Sequence, residues 1–424
     1  MRQKIAVVGS GVSGLVAARD LHAAHHEVTL YEANTRLGGH AHTITINDDG
    51  QELALDTGFI VFNETNYPRF TALLQQLNVA SQPSDMSFGV RCRQCRLEYS
   101  SHGLAGLFAQ SSQLLRPTVY KMAVDILRFN TWARRQTDAP ATNLQATIGD
   151  LRETRRFGDH FFRHYLIPMT SAIWSSAAND VDGFPLPLFL QFFANHGLLQ
   201  VQGHPPWRTV VGGSQRYIHA LIQPFKTCIR LRTTVDRVHR NDRGIKLHTA
   251  DNGWEDYDQI VIATHADQAL GLLEAPTQDE TTALGAISYQ KNLAVLHTDR
   301  TVLPTSPRAW ASWNYDIPDC SNTHTPLRMT YYLNRLQRLD TKKHYCVTLN
   351  SDDTINPAHV LARVPYKHPL YTASGLHARN VIRSISGQNH TFYCGAYLGN
   401  GFHEDGVVSG LTIRRTLDRM LEAA

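Results

Sequence analysis

Cysteine is scarce and mostly solitary in this chain. Of six cysteines, only Cys92 and Cys95 stand close together, as C-x-x-C. No second pair and no His pair has zinc-finger spacing, so no metal is expected. The flanking SFGVR and RLEYSS read as two strands joined at Arg93-Gln94. That makes the pair a structural hairpin first, with a redox or metal role as the alternative. Dispersed single cysteines fit a reducing cytoplasm. Charge of one sign is also lacking. Forty-one Lys and Arg face 37 Asp and Glu, a net of +4. So small an excess gives no reason to expect nucleic acid as a partner. Long apolar runs are missing: the longest uncharged stretch, residues 183 to 207, is interrupted by Pro185, Pro187, Gln191, Asn195 and His196. That breaks any spanning helix of roughly 20 residues. The first apolar run is only about five residues long and meets glycines instead of a cleavage site, so it reads as a strand and not a signal peptide. Neither H-E-x-x-H nor G-x-S-x-G occurs, so Ser214 after Gly212-Gly213 has no nucleophile signature.

What is present is ordinary globular composition, 42% hydrophobic and 18% charged over 424 residues. It excludes wholesale disorder and collagen-like repeats, and at roughly 150 residues per domain it suggests two or three domains or one interleaved pair. Residues 4 to 9 form a β-branched apolar run ending at glycine, residues 12 to 24 carry helical periodicity, and residues 27 to 32 read as a second strand. Strand, glycine turn, helix and strand within about 30 residues make a βαβ unit of a parallel sheet. Further strand signals lie at 260 to 264 and 391 to 396, the latter followed by a helix through VVSGLTIRRTLDRML. Between them the texture changes to aromatics, prolines and long helical runs such as 104 to 135. The expectation is an α/β fold. A discontinuous nucleotide-binding domain covers 1–75, 205–271 and 386–424, and an α+β substrate domain covers 76–204 and 272–385.

Gly9-Ser10-Gly11-Val12-Ser13-Gly14 is a G-x-G-x-x-G that follows a strand and opens a helix. The first glycine permits the turn, the second lets backbone approach a pyrophosphate, and the third allows close packing. The helix N-terminus then offers unpaired N–H groups and a positive dipole end. Glu32, eighteen residues after Gly14, is placed to accept hydrogen bonds from ribose hydroxyls, and its charge disfavours a 2′-phosphate. This is the only such motif, so no separate NAD(P)H domain is expected.

Glu32-Ala33-Asn34-Thr35-Arg36-Leu37-Gly38-Gly39 resembles the E-A-x-x-R-x-G-G extension of FAD proteins of the glutathione-reductase type. Leu55-Asp56-Thr57-Gly58-Phe59, continuing to Ile60, is similar to the segment beneath the flavin in those proteins. Val235 falls where they place an adenine-contacting valine, and Ala263-Thr264 closes a strand as in their A-T-G-like motif. Phe392 to Gly395, then Gly401-Phe402-His403-Glu404-Asp405-Gly406-Val407-Val408-Ser409-Gly410, resembles the last flavin motif of the flavin-containing amine oxidase superfamily, which also includes phytoene desaturases and protoporphyrinogen oxidases. The resemblance implies FAD, held without a covalent bond. It implies cofactor contacts from Gly9, Gly11, Val12, Ser13, Gly14, Glu32, Ala33, Arg36, Gly38, Gly39, His40, Thr57, Gly58, Phe59, Ile60, Val235, Ala263, Thr264, Gly395, Asp405, Gly406, Val407 and Val408. A helix starting at Gly406 would direct its N–H groups at the reduced flavin.

The chain departs from amine oxidases where they carry Arg after the paired glycines; here it is His40. Lys291 lies near their N5-proximal lysine, and His403 sits inside the flavin motif, so these two are the candidate catalytic groups. For His196, His204 and His297 a structural role is expected. The segments HYLIPMTSAIWSS, FPLPLFLQFFANHGLL, WRTVVGGS and AWASWNY resemble bacterial FAD oxidoreductases encoded beside cyclopropane-fatty-acid-synthase-like methyltransferases. That resemblance implies hydride transfer between a carbon of an apolar, fatty-acyl substrate and flavin N5. A methyltransferase partner fits the same resemblance. The aromatic surface, with Arg and Lys near its mouth, suits a cytoplasmic protein in peripheral contact with the inner membrane face. Amine oxidation and a non-catalytic flavin-binding partner role are the alternatives. The aromatic segment Phe157 to Phe193 reads equally as ordinary core packing or as a tunnel wall, in which case residues 161 to 193 and Trp310 to Tyr315 line an apolar tunnel to the flavin.

Overall fold

A computed structural model describes residues 2–137, 145–200, 203–322 and 327–423. The KIAVV run forms the strand Lys4–Val8, buried through most of its length. It is the middle strand of a five-stranded sheet in the order Ile229–Arg230, Glu27–Tyr31, Lys4–Val8, Gln259–Ile262, Thr391–Tyr393. All four pairings are parallel. Parallel neighbours need crossover connections, and three distant parts of the chain supply these strands. Helix Val12–Ala23 covers one face together with helix His403–Ala423. Glycine sets how closely the two helices approach: a Cβ on Gly406 would lie 2.6 Å from Val12 Cγ1, and one on Gly410 would lie 2.5 Å from the Ser13 carbonyl oxygen. The other face carries the three-stranded meander Val235–Asn241, Gly244–Thr249, Gly253–Tyr257.

A seven-stranded sheet forms the second centre. Its order is Val360–Pro369, Tyr289–His297, Cys346–Leu349, Met329–Tyr332, Trp313–Ile317, Phe88–Cys92, Leu97–Ser100. Every pairing is antiparallel except that of Trp313–Ile317 with Phe88–Cys92. Beside it, residues 148 to 199 close around one aromatic cluster.

Two helices differ most from the sequence reading. The helical run 104 to 135 is three pieces, Gly103–Leu107, a 3₁₀ turn Ser111–Leu115 and Pro117–Thr137. The break falls at Arg116, which is extended, because a residue before proline is pushed out of the helical region. The terminal helix starts at His403, three residues before Gly406. Among the described residues no helix is long and apolar enough to cross a membrane.

Candidate functional site

The glycine turn after the first strand is built by contacts that exclude side chains. Gly9 has φ +104°, and a Cβ there would meet the Ala263 carbonyl oxygen at 2.9 Å. A Cβ on Gly14 would fall 2.0 Å from the Gly9 carbonyl oxygen, whereas one on Gly11 would meet nothing within 4 Å. The turn is therefore closed on the Ala263-Thr264 side and open at Gly11, which caps helix Val12–Ala23 without a side-chain bond. A phosphate can reach the helix N-terminus there.

Glu32 is buried at the end of the second strand. Its Oε2 accepts hydrogen bonds from the Ser10 N–H (3.0 Å) and hydroxyl (2.5 Å), and its Oε1 accepts from the Asn34 N–H (2.8 Å) and side-chain amide (2.7 Å). The carboxylate thus clamps the glycine turn to the second strand, and a ribose hydroxyl would share or replace these donors. The Gly38-Gly39 loop lies across the turn: the Gly38 N–H donates to the Ser10 carbonyl at 2.9 Å, and Gly11 and Gly38 form a bridge. Arg36 braces the loop by donating to the Gly39 carbonyl at 2.8 Å. Ala33 follows Glu32, exposed, in the same turn.

His40 is half-buried and stacks on Tyr366, with ring centroids 4.7 Å apart, while His368 lies 5.2 Å away. Its Nε2 has no hydrogen-bond partner among the described residues. Burial, and then the neighbouring His368 and His265, hold its pKa well below 6.5. His368 is depressed to about 4 by burial and then by His265, and its Nδ1 meets the Asn292 side-chain amide at 2.8 Å. Thr57 bonds the Tyr366 hydroxyl at 2.9 Å. A Cβ on Gly58 would strike the His40 carbonyl oxygen at 2.2 Å. Ile60 is buried just beyond. Asp56, pushed up to about 6 by burial despite its hydroxyl and amide donors, accepts bonds from Thr43, Ser214 and Gln337. Ser214 is therefore a structural tie.

His403 is sandwiched in apolar surroundings. Its ring stacks on Phe59 at 3.8 Å and meets Phe70 edge-on at 4.9 Å, and Nε2 lies 2.6 Å from the Tyr217 hydroxyl. Burial lowers its pKa to about 3, so it is neutral at physiological pH. The Gly406 N–H bonds the Phe402 carbonyl at 3.2 Å. It is therefore not a free donor, and that role passes to the preceding turn. That turn carries Glu404 and Asp405. Glu404 accepts from Arg69 and Phe70 N–H at the start of helix Pro68–Gln76. Asp405 accepts from the Phe402 N–H at 2.9 Å and is raised to about 6, chiefly by burial. The Gly395 N–H donates to Ser409 at 2.9 Å.

The structure gathers Gly9 to Gly14, Glu32, Arg36 to His40, Ala263-Thr264 and the last motif around the carboxyl ends of the parallel strands, the usual ligand side of such sheets. Val235 packs in the apolar cluster with Val8 and Tyr31. Val407 is buried against the first helix, but Val408 is 44% exposed and faces away. Lys291 is exposed, while its neighbour Asn292 is buried on the face that meets His368. The strand alternation therefore separates Lys291 from the His40 group. The expected aromatic tunnel also divides. Phe161 to Phe193 form one packed core, whereas Trp310 belongs with Leu303, Tyr332 and Cys346, and Tyr315 with the sheet. Phe402 is the bridge from the aromatic core to the site, 4.8 Å from Phe192. His196 stacks on Phe192 at 3.8 Å, His297 bonds Thr348 at 2.7 Å, and His204 is exposed. Tyr366, His368, His265, Asn292 and Tyr371 were not foreseen as site residues. The Tyr366-Lys367-His368 alternation was their one local signal.

An orphaned buried His40 Nε2, a buried Tyr371 hydroxyl equally without a partner among the described residues and the open Gly11 fit a dinucleotide-sized cofactor. Comparison with known proteins agrees. Residues 12–359 match the family "Flavin containing amine oxidoreductase", and the chain belongs to that family. AofH of Mycobacterium tuberculosis, named as a flavin-containing monoamine oxidase, is 24% identical over 267 residues, 61% of this chain and 56% of AofH. The chain spans little over half of AofH and less of the other curated relatives it matches. Putrescine oxidase bound to putrescine superposes with a TM-score of 0.67 at 14% identity, covering 99% of both chains. A CLA-producing fatty acid isomerase from P. acnes gives 0.65 at 15%, covering 97% of this chain and 98% of its own. These two likenesses establish the fold. Family membership and fold agree: the chain has the mixed α/β architecture of these structures.

Proposed function

We propose that the chain binds FAD without a covalent bond and transfers hydride between the flavin and a carbon of an apolar, fatty-acyl substrate. When bound, the flavin supplies a hydride acceptor and donor at N5. Glu32, Arg36 and the glycine turn hold the dinucleotide, Phe59 and His403 form an apolar floor, and His40 and Tyr371 offer free polar atoms. The observation that carries the substrate reading is the continuity of the aromatic core with the last motif. Phe402 lies 4.8 Å from Phe192 and 6.3 Å from Trp174, and Tyr371 lies 6.2 Å from Phe184. An acyl chain laid against the apolar edge where Phe402 and Tyr371 meet this core gains about 0.8 kcal/mol per buried methylene and needs no charged anchor. Cys394 supports the non-covalent reading: it is buried with its thiol raised to about 12 and so is a poor nucleophile. His403 is already engaged by Tyr217. Acid precipitation should release the flavin into the supernatant; flavin kept in the pellet would count against this.

Amine oxidation is the second reading, favoured by the names of AofH and putrescine oxidase. Anaerobic stopped-flow mixing separates them. Bleaching of the flavin by acyl lipids supports the first, bleaching by amines the second, and bleaching by neither supports a non-catalytic partner of a lipid methyltransferase. A peripheral membrane seat suits the same chemistry. Leu104, Leu114, Leu115, Val124 and Leu127 are each more than half exposed on a stretch that also bears Arg116, Lys121 and Arg128, a pattern fitted to anionic head groups. Co-sedimentation with phosphatidylglycerol vesicles, abolished by Leu115→Glu, is the expected result. Equal pelleting of both proteins would remove the membrane seat.

A further inference from the structure

Away from the flavin site, four side chains from three parts of the chain meet. Cys92 ends the strand Phe88–Cys92, and Cys95 lies in the four-residue turn before Leu97–Ser100. His164 lies in a π-helical turn, Phe162–Leu166, and Cys320 lies just beyond Trp313–Ile317. Three Sγ atoms and one imidazole nitrogen all fall within 4.8 Å of one another. Cys95 Sγ is 3.4 Å from His164 Nε2, across 69 residues of sequence. All four side chains are buried or half-buried, and the three cysteines are free thiols. The expectation of no metal rested on spacing along the chain. Chain spacing does not register the two further donors, His164 and Cys320, that the fold brings beside the pair.

We propose that Cys92, Cys95, His164 and Cys320 bind one zinc ion in a closed tetrahedral site. Zinc–sulfur bonds of about 2.3 Å and zinc–nitrogen bonds of about 2.0–2.1 Å imply tetrahedron edges of roughly 3.6–3.8 Å. The cluster therefore has to draw in by about an ångström at most. Three thiolates and an imidazole suit zinc, whereas magnesium and calcium take oxygen donors. Four protein donors leave no open position, which marks a structural site. The surroundings are arranged as an outer shell. His164 Nδ1 lies 3.3 Å from the His160 carbonyl oxygen. With Nδ1–H donating there, the Nε2 lone pair faces the sulfurs. Arg116 donates to the Cys95 carbonyl at 2.8 Å, Arg163 to the Cys320 carbonyl at 3.3 Å, and the Tyr99 hydroxyl to the His164 carbonyl at 2.7 Å. Zinc with three thiolates and a neutral imidazole carries one net negative charge, and both arginines stand beside it. Binding expels the three thiol protons to solvent. A π-helical turn is itself a rare local distortion that concentrates at functional positions.

The staple has a physical purpose. Phe88–Cys92 and Trp313–Ile317 are the one parallel pair of their sheet among the described residues, with Cys92 opposite Ile317. Parallel strands cannot be joined by a tight turn. The metal would join their ends directly and tie in the aromatic helical unit through His164.

Elemental analysis of the holoenzyme purified under reducing conditions should find one zinc per chain beside the flavin. Titrating the thiols with an organomercurial should release that zinc to a colorimetric chelator. Cobalt-grown protein should show tetrahedral d–d bands to the red of the flavin absorption. His164→Ala and Cys320→Ser should lose the metal, while Cys228→Ser, a cysteine outside the cluster, keeps it. If the cluster variants do not fold, the wild-type stoichiometry and mercurial release still decide. Protein that holds no zinc and takes up none when reconstituted with zinc chloride, protein that holds iron instead, or a Cys92–Cys95 disulfide found by mass spectrometry under the same reducing conditions would each overturn the proposal.

Discussion

The dinucleotide cradle and the aromatic unit beside it are stabilised in opposite ways. In the cradle, backbone meets backbone: Gly9, Gly14, Gly38 and Gly58 sit where a methyl group would collide with a carbonyl oxygen, and one carboxylate, Glu32, ties two loops. In the aromatic unit, side chain meets side chain: Phe129, Phe161, Phe189 and Phe193 are fully buried, and Phe189 and Phe193 lie 4.0 Å apart. The first depends on the absence of atoms, and the second on their presence. Adding a methyl group should therefore damage the cradle, and removing a ring should damage the aromatic unit. The two losses should appear in different measurements.

The largest effect is expected from Phe189→Ala. A fully buried phenylalanine truncated in a packed core costs about 3–5 kcal/mol. Chemical denaturation should show that loss, while the folded fraction keeps its flavin at unchanged affinity. A variant that loses flavin without losing stability would mean the aromatic unit is part of the cradle.

Gly14→Ala should follow, at roughly 2–3 kcal/mol, because its methyl has no room, and it should lower thermal stability and flavin content together. Gly11→Ala is the control. Its backbone is extended, with φ −60° and ψ 168°, and its side is open. The protein without flavin should melt as wild type, while flavin affinity falls because the methyl occupies the approach of the pyrophosphate. If Gly11→Ala binds flavin normally, the phosphates do not lie there.

This contrast explains what the sequence could reveal. Gly9 to Gly14, Glu32 and Gly38-Gly39 were legible because backbone geometry forces the residue type and the spacing is local. The third partner of the cradle, the Gly401 to Gly410 stretch, was legible for the same reason, although its helix begins at His403 because the Phe402 carbonyl already accepts the Gly406 N–H. The aromatic run was visible as composition, yet composition does not say whether rings face one another or a tunnel. Here they face one another, and Trp310 belongs elsewhere. His368, Tyr371 and the Cys92–Cys320 meeting depend on long-range folding, which no local pattern encodes.

Asp405 should give a smaller, pH-dependent effect. Its folded pKa, about 6, is raised above the ordinary 3.8 mainly by burial. Stability from this group is full below pH 3.8 and is lost as pH rises through 6. Asp405→Asn keeps an acceptor for the Phe402 N–H and removes the buried charge. It should therefore stabilise the holoenzyme by about 1–2 kcal/mol at pH 8 and by nothing at pH 4. His403, lowered to about 3, works in the opposite sense: its contribution is present above 6.5 and fades as pH falls. Over the same range the two contributions oppose each other, so thermal melts of the wild type across pH 4 to 6 should show them partly cancelling, and Asp405→Asn should leave the His403 slope exposed, with stability falling as pH falls.

The smallest effect tests the boundary between the regions on a single strand. Within Tyr289–His297, Asn292 is buried and bonds His368 at 2.8 Å, Asn350 at 2.7 Å and the Ser175 carbonyl at 3.2 Å. Lys291 is exposed and points to the other face, opposite Lys367 in the pairing. Strand side chains alternate, so neighbours one residue apart cannot both reach the same site. Lys291→Ala should change stability by less than about 0.5 kcal/mol, as surface substitutions do, and should leave the rate of flavin reduction within about twofold. Asn292→Leu would strand the His368 ring and the Asn350 amide without partners, a loss of about 1–3 kcal/mol, and should slow reduction if the His40 group orients substrate. Tenfold slower reduction in Lys291→Ala, with Asn292→Leu unaffected, would reverse the assignment. It would require the strand to shift register by one residue, which carries each side chain to the opposite face.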